Sequence, residues 1–115
     1  FDENFFLYVE ENELGYRCAK LGINSYIVLN SRIFHKGSAG LGKESAIKRY
    51  YLVRNLLYLK RKHFSTLSVA FSLLHLGVMT IVKSRDKTSN VNAYICAVYD
   101  FFKGNMGKTT RSLDE

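Results

Sequence analysis

Nineteen consecutive residues, Phe64 to Val82 (FSTLSVAFSLLHLGVMTIV), carry no formal charge and are bracketed by KRKH on one side and KSRDK on the other. That length only just reaches what a helix needs to cross a bilayer, and Ser65, Thr66, Ser68, Ser72 and His75 make the run a poor spanning segment. The expectation is a helix buried in protein or lying at an interface, with cations at both ends. The absence of proline leaves this and neighbouring helices uninterrupted.

The rest of the chain reads as elements that such a helix can pack against. Leu14, Cys18 and Leu21 fall at helical spacing, and Gly22 stands where a left-handed C-cap belongs, so a short helix ends at Leu21. Tyr26-Ile27-Val28-Leu29 and Arg32-Ile33-Phe34, separated by Asn30-Ser31, read as two short strands or one broken strand. HKGSAGLGKES (35–45) is a Gly/Ser loop able to bring backbone N–H groups close to a phosphate. From Glu44 to His63, Ile47, Tyr51, Leu52, Leu56 and Leu59 form one apolar stripe on a helix with a cationic end. A last helix over about Val91 to Lys103 carries Ile95, Val98 and Phe102 on a stripe, and the chain beyond Lys108 reads as a flexible tail.

Aromatic and apolar content, 14% and 47%, argues for folded protein over disorder. At 115 residues the chain suits one domain at most and is short for a complete enzyme with two substrates; beginning Phe-Asp-Glu, it reads as a piece of a longer chain. Cys18 and Cys96 are too few and too far apart for a metal knuckle or a disulfide framework, and read as small buried side chains.

Charge is distributed unevenly. Five of the ten acidic residues (Asp2, Glu3, Glu10, Glu11, Glu13) precede the first basic one, Arg17; from there to Leu113 seventeen basic residues face three acidic ones, a balance of +14 within a net +7. That suits phosphate-bearing ligands, nucleic acid or an anionic membrane. Glutamates in the first turn of a helix also complement its dipole and can cap free N–H groups. Glu13 and Arg17, four apart, can form a helical ion pair. Dipole and caps leave unexplained the aromatic entry Phe5-Phe6-Leu7-Tyr8, which would deliver those carboxylates from a buried strand end, a common position for catalytic groups in α/β proteins.

FDENFFLYVEENELGYRCAKLGINSYIVLNSRIFHKGSAG resembles the second half of the catalytic domain of family 2 glycosyltransferases. In that family an aromatic stretch leads to Glu-Asp-x-Asp-Leu, an arginine, a glycine-ended helix, a strand, and a histidine before a Gly/Ser loop. YYLVRNLLYLKRKH and the closing DFFKGNMGK resemble the rhamnosyltransferase-like bacterial members, although Phe101 stands where that ending has its first glycine. Together these stretches span essentially the whole chain.

The resemblance implies an α/β class, as the mostly helical C-terminal part of a GT-A nucleotide-sugar transferase. Its parts would be 1–45 from the catalytic domain, 46–108 as a helical extension associated with a membrane, and 109–115 as tail. It implies Glu11 as the general base, in a position that is aspartate in most members, with Glu10 orienting the acceptor site and Glu13 and Arg17 supporting both. His35 would lie near a diphosphate or a metal, and Lys36, Ser38 and Lys43, with Lys48 and Arg49 beyond them, could meet phosphates. Arg54 and Asn55 would dock their helix to the catalytic half.

Implied partners are a nucleotide-sugar donor, a glycan or lipid-linked acceptor, and the cytoplasmic face of a bacterial inner membrane. The implied cofactor is Mg²⁺ or Mn²⁺. The Asp-x-Asp motif that binds it in the family occurs nowhere here, so these residues alone are expected to transfer no sugar. Two rivals stand beside this reading: a basic helical nucleic-acid-binding module built on KRYYLVRNLLYLKRKH, and a non-catalytic membrane-associated scaffold.

Overall fold

The computed structural model describes residues 1–34, 45–83 and 88–113. It contains four helices: α1 (Glu10–Lys20), α2 (Ala46–His63), α3 (Thr66–Lys83) and α4 (Thr88–Lys103). α2 is the central element. It packs most extensively on α4, also touches α3, and α3 and α4 touch each other.

Local sequence accounts for the helix ends. Ser45, in extended conformation, caps α2 by accepting from the Lys48 amide at 3.3 Å, so the helix begins at Ala46 rather than Glu44. α1 and α4 both close on glycines in the left-handed region, Gly22 (φ 69°) and Gly104 (φ 76°). In each case the next residue's amide reaches back five positions, Ile23 to the Cys18 carbonyl and Asn105 to the Asp100 carbonyl, both at 2.9 Å.

The core consists of Tyr50, Tyr51, Val53 and Leu57 from α2, Val69 from α3, and Ala93, Ala97 and Phe101 from α4. Two alanines one turn apart let α4 approach α2 closely. The buried side of α4 is therefore its small-residue face, and the expected stripe is largely turned out: Ile95 is 58% and Phe102 65% exposed. In α2, Leu52 is exposed, whereas Arg54 and Asn55 are fully buried. Cys18 and Cys96 are free and half-buried.

Among the described residues there is no strand. Tyr26–Leu29, expected to be β, is largely exposed, and Phe34 is fully so. β-forming side chains produce a strand only where a neighbouring strand offers its N–H and C=O groups, and no such partner is present among the described residues. The helical part of the expected α/β fragment is thus observed without a sheet.

Residues 1–9, where the aromatic entry was expected to be a buried strand end, form turns and bends rather than a strand and lie along α2, whose aromatic side chains take up theirs. Phe5 meets Tyr58 edge-on at 5.1 Å, Phe6 meets Tyr51 at 5.4 Å, and Phe5, Val9 and Leu59 form a second small core. The segment after Lys108, expected to be loose, is held as far as Leu113: the Thr109 amide donates to the Tyr51 hydroxyl, Arg111 pairs with Asp100, and Leu113 is buried. A hydrogen bond, an ion pair and an apolar anchor within a few residues account for that order.

Candidate functional site at the entry to α1

The glutamates enter α1 through a strained turn. Tyr8 and Val9 both have positive φ, 64° and 74°, and a β-branched residue rarely adopts that conformation. Each costs about 1–2 kcal/mol. Burial of Phe5 and Val9 against Leu59 offsets this at about 1.5–3 kcal/mol per side chain. Asn55 fixes the turn further. Its amide donates to the carbonyl oxygens of Leu7 (2.7 Å) and Tyr8 (3.0 Å), and its own carbonyl accepts from Arg54 Nε at 3.2 Å.

From this turn the three glutamates diverge. Glu11 is exposed. Glu10 is half-buried, and its Oε2 is shielded from solvent with no hydrogen-bond partner among the described residues. Glu13 is the buried residue of α1. Its Oε1 meets Lys62 Nζ at 2.8 Å and His63 Nε2 at 3.0 Å, and its Oε2 accepts from Arg17 at 3.0 Å. Lys62 also reaches Asp2 at 2.8 Å. No side chain caps the α1 N-terminus. The capping role expected of the carboxylates is absent, because Glu13 turns inward to these cations instead; the favourable placement at the helix dipole remains.

Burial by itself would raise the pKa of Glu13, but hydrogen bonds from Lys62, His63 and Arg17 outweigh it and lower the value to about 2. Asp2 follows the same pattern: burial opposes, Lys62 and the Asn4 amide prevail, and the carboxyl is held at about 2. Both groups are fixed anions and unsuited to accept a proton near neutrality. Glu11 remains open to solvent, and Glu10 keeps one shielded oxygen without a hydrogen-bond partner among the described residues.

Glu10, Glu11, Glu13 and Arg17 are thus brought together on α1. Lys48 lies over the Tyr8 ring at 5.8 Å, on the same entry turn. His35, Lys36, Ser38 and Lys43 lie outside the described residues. Among those described, no group of three or more His, Cys, Asp or Glu side chains could hold a metal ion. The donor set here does not fit a divalent cation, since its buried carboxylate is already engaged by Lys62, Arg17 and the His63 ring.

Sequence reasoning paired Glu13 with Arg17 but missed Lys62, His63 and Asp2, which come from distant positions. The polar pair Arg54-Asn55 inside an apolar helix was the available signal for the clamp, and the docking role expected of it is what Asn55 performs at Leu7 and Tyr8.

No family model matches the chain, and no solved structure matches it. Among curated proteins the chain is similar to the dTDP-rhamnosyl transferase RfbF of Shigella flexneri, with 28% identity over 119 residues. That alignment covers 92% of this chain and 40% of the relative, so the chain spans two fifths of the length of the protein it resembles.

Proposed function

We propose that the chain is part of an inverting glycosyltransferase of family 2 and GT-A fold, moving a sugar from a nucleotide-sugar to a glycan or lipid-linked acceptor in bacterial cell-surface polysaccharide synthesis. The observation that carries this reading is the similarity to a named rhamnosyl transferase along 92% of the chain. The exposed Glu11 is the base that removes the acceptor hydroxyl's proton, and the neighbouring Glu10 orients that hydroxyl. A carboxylate is ionised at neutral pH and can hold the hydroxyl in line with the departing diphosphate. In this reading the nucleotide-binding residues and the Mg²⁺ or Mn²⁺ they hold lie outside these 115 residues.

Association with the cytoplasmic face of the membrane belongs to the same proposal. Leu67, Phe71, Leu74, Val78 and Ile81 of α3, all more than half exposed, recur at intervals of four and three residues and so form one apolar face. Cation clusters flank the run that holds them. No helix among the described residues is long and apolar enough to cross a membrane, so the contact proposed is peripheral.

The nucleic-acid rival is disfavoured by where its residues lie. Tyr50, Tyr51 and Arg54 are buried, Arg61 donates to the Phe101 carbonyl, and Lys62 is paired with Asp2 and Glu13. The tyrosines that such a module would stack on bases are thereby spent in the core, while Lys48, Arg49 and Lys60 remain partly exposed.

The test is nucleoside-diphosphate release from a panel of nucleotide-sugars by the full-length protein with Mg²⁺ or Mn²⁺, comparing wild type with Glu11→Gln. Loss of a general base is expected to slow turnover by about 10²–10⁴-fold. Turnover equal to wild type would remove Glu11 from the mechanism, and no release from any donor would remove the transferase reading.

A further inference from the structure

A second polar region lies on the far side of α2, in a cleft of about 280 Å³ between α2, the end of α4 and the loop that follows it. At its base is Arg54, 1% exposed. No described carboxylate lies within ion-pair distance of this guanidinium. It donates instead to Asn55 Oδ1, the Tyr50 hydroxyl and the carbonyls of Asn105 (3.2 Å) and Gly107 (2.6 Å). Those four bonds leave one of its five N–H groups unspent among the described residues. The rings of Tyr50 and Tyr51 lie 5.1 Å from it.

The carboxylate in the same cleft does not neutralise Arg54. Asp100 is taken by Arg111 through two bonds, at 2.8 and 2.9 Å, and also accepts from the Tyr50 hydroxyl and Asn105 Nδ2. Its carboxyl is held at about 2, chiefly by Arg111. Asp100 and Arg111 cancel, which leaves Arg54 and the exposed Lys108 as uncompensated cations lining one concave surface. A buried charge without a counter-ion is costly, and an arriving anion would relieve that cost.

We propose that this cleft, lined by buried Arg54 and by Lys108 and Thr110, is a binding site for a phosphate or diphosphate group, the Lys108 ammonium swinging in from its place over the Phe6 ring at 5.8 Å to meet it. The chemistry fits. A guanidinium N–H and a lysine ammonium recognise phosphate oxygens, and hydroxyls add neutral donors. The loop is shaped for close approach: Gly104 and Gly107 both adopt positive φ, and the amides of Met106, Lys108 and Thr110, which line the cleft, donate to no other described residue. This site is separate from the glutamates of α1 and stands whether or not the transferase reading holds.

The test is calorimetric titration of the full chain with pyrophosphate, with the fold of each variant checked by its thermal melt. Lys108→Glu and Thr110→Glu, both at exposed positions, are each expected to weaken binding by at least about tenfold, whereas Lys20→Glu on α1 changes it little. Absence of saturable binding, or equal weakening by Lys20→Glu, would overturn the site in favour of general attraction to a basic protein. Flotation with phosphatidate vesicles separates two sources of the same group. Lys108-dependent flotation assigns the site to a lipid phosphomonoester; Lys108-dependent pyrophosphate binding without it assigns a soluble phosphate.

Discussion

The Glu13 carboxylate and the Lys62 ammonium meet at 2.8 Å across forty-nine residues of chain. This contact joins α1 to the last turn of α2. The Tyr16 ring, tilted against His63 and Phe64 with centroids at 4.7 and 5.0 Å, completes the junction. The glutamates of α1 therefore divide into Glu13, buried and ion-paired, and Glu10 and Glu11, which pair with no cation among the described residues.

Glu13→Gln should cost about 2–3 kcal/mol, because it removes charge-assisted hydrogen bonds to three partners and leaves the cations facing a neutral amide. Glu11→Gln, on an exposed first turn, should stay within about 0.5 kcal/mol of wild type. Urea denaturation of both variants checks the contrast. Equal destabilisation would mean that the two glutamates do not differ in role.

Acid should loosen the fold. Glu13, Asp2 and Asp100 have ordinary values of 4.5, 3.8 and 3.8 and are each held at about 2 in the folded chain. A depressed folded value means the unfolded state binds more protons in that window, so stability is complete above about pH 5 and declines as pH falls toward 2. Melting temperatures measured across pH 2–7 should drop in that interval, and a flat profile would contradict the three ionic contacts.

Asn55→Ala should cost about 2 kcal/mol or more, since it orphans the carbonyls of Leu7 and Tyr8 beneath a turn that is already strained. Amide exchange at the start of α1 should quicken beyond what global stability explains. Exchange altered only in proportion to global stability would show that the turn holds itself.

Two glycines should respond oppositely to alanine. Gly15 lies inside α1 with nothing near its would-be Cβ, so Gly15→Ala should stabilise by about 0.5–1 kcal/mol. Gly107 has φ 74°, and its amide and carbonyl serve Asn4 and Arg54; Gly107→Ala should destabilise by about 1–2 kcal/mol. Thermal melts of the pair decide it.

Phe71→Ser, at an exposed position of α3, should leave stability within about 0.5 kcal/mol and weaken co-sedimentation of the full-length protein with anionic vesicles. Unchanged co-sedimentation of this variant and of Leu74→Ser would remove α3 from the membrane contact.

Much of the local structure was legible. The uncharged run, the absence of proline, Gly22 and the spacing of Glu13 and Arg17 each act within a turn or two of helix, and α1, α2, α3 and α4 formed near the expected places. The faces were not legible. Periodicity marked Ile95 and Phe102 as inward, yet α4 docks through Ala93 and Ala97, because the distance between helices is set by the smallest side chains at the crossing. Tyr26 to Phe34 carries β-forming residues, but strand formation depends on a partner edge that their own sequence cannot supply.

The sequence by itself determined that there are helices in these places and that glycines end α1 and α4, and it placed three glutamates in one first turn. Tertiary structure decided which glutamate is buried, that Asn55 clamps the entry turn, and that Arg54 lies in a cleft without a carboxylate of its own. The reason is range: caps and periodicity act between neighbours along the chain, whereas burial and ion pairing depend on groups some fifty residues away, which only helix packing brings together.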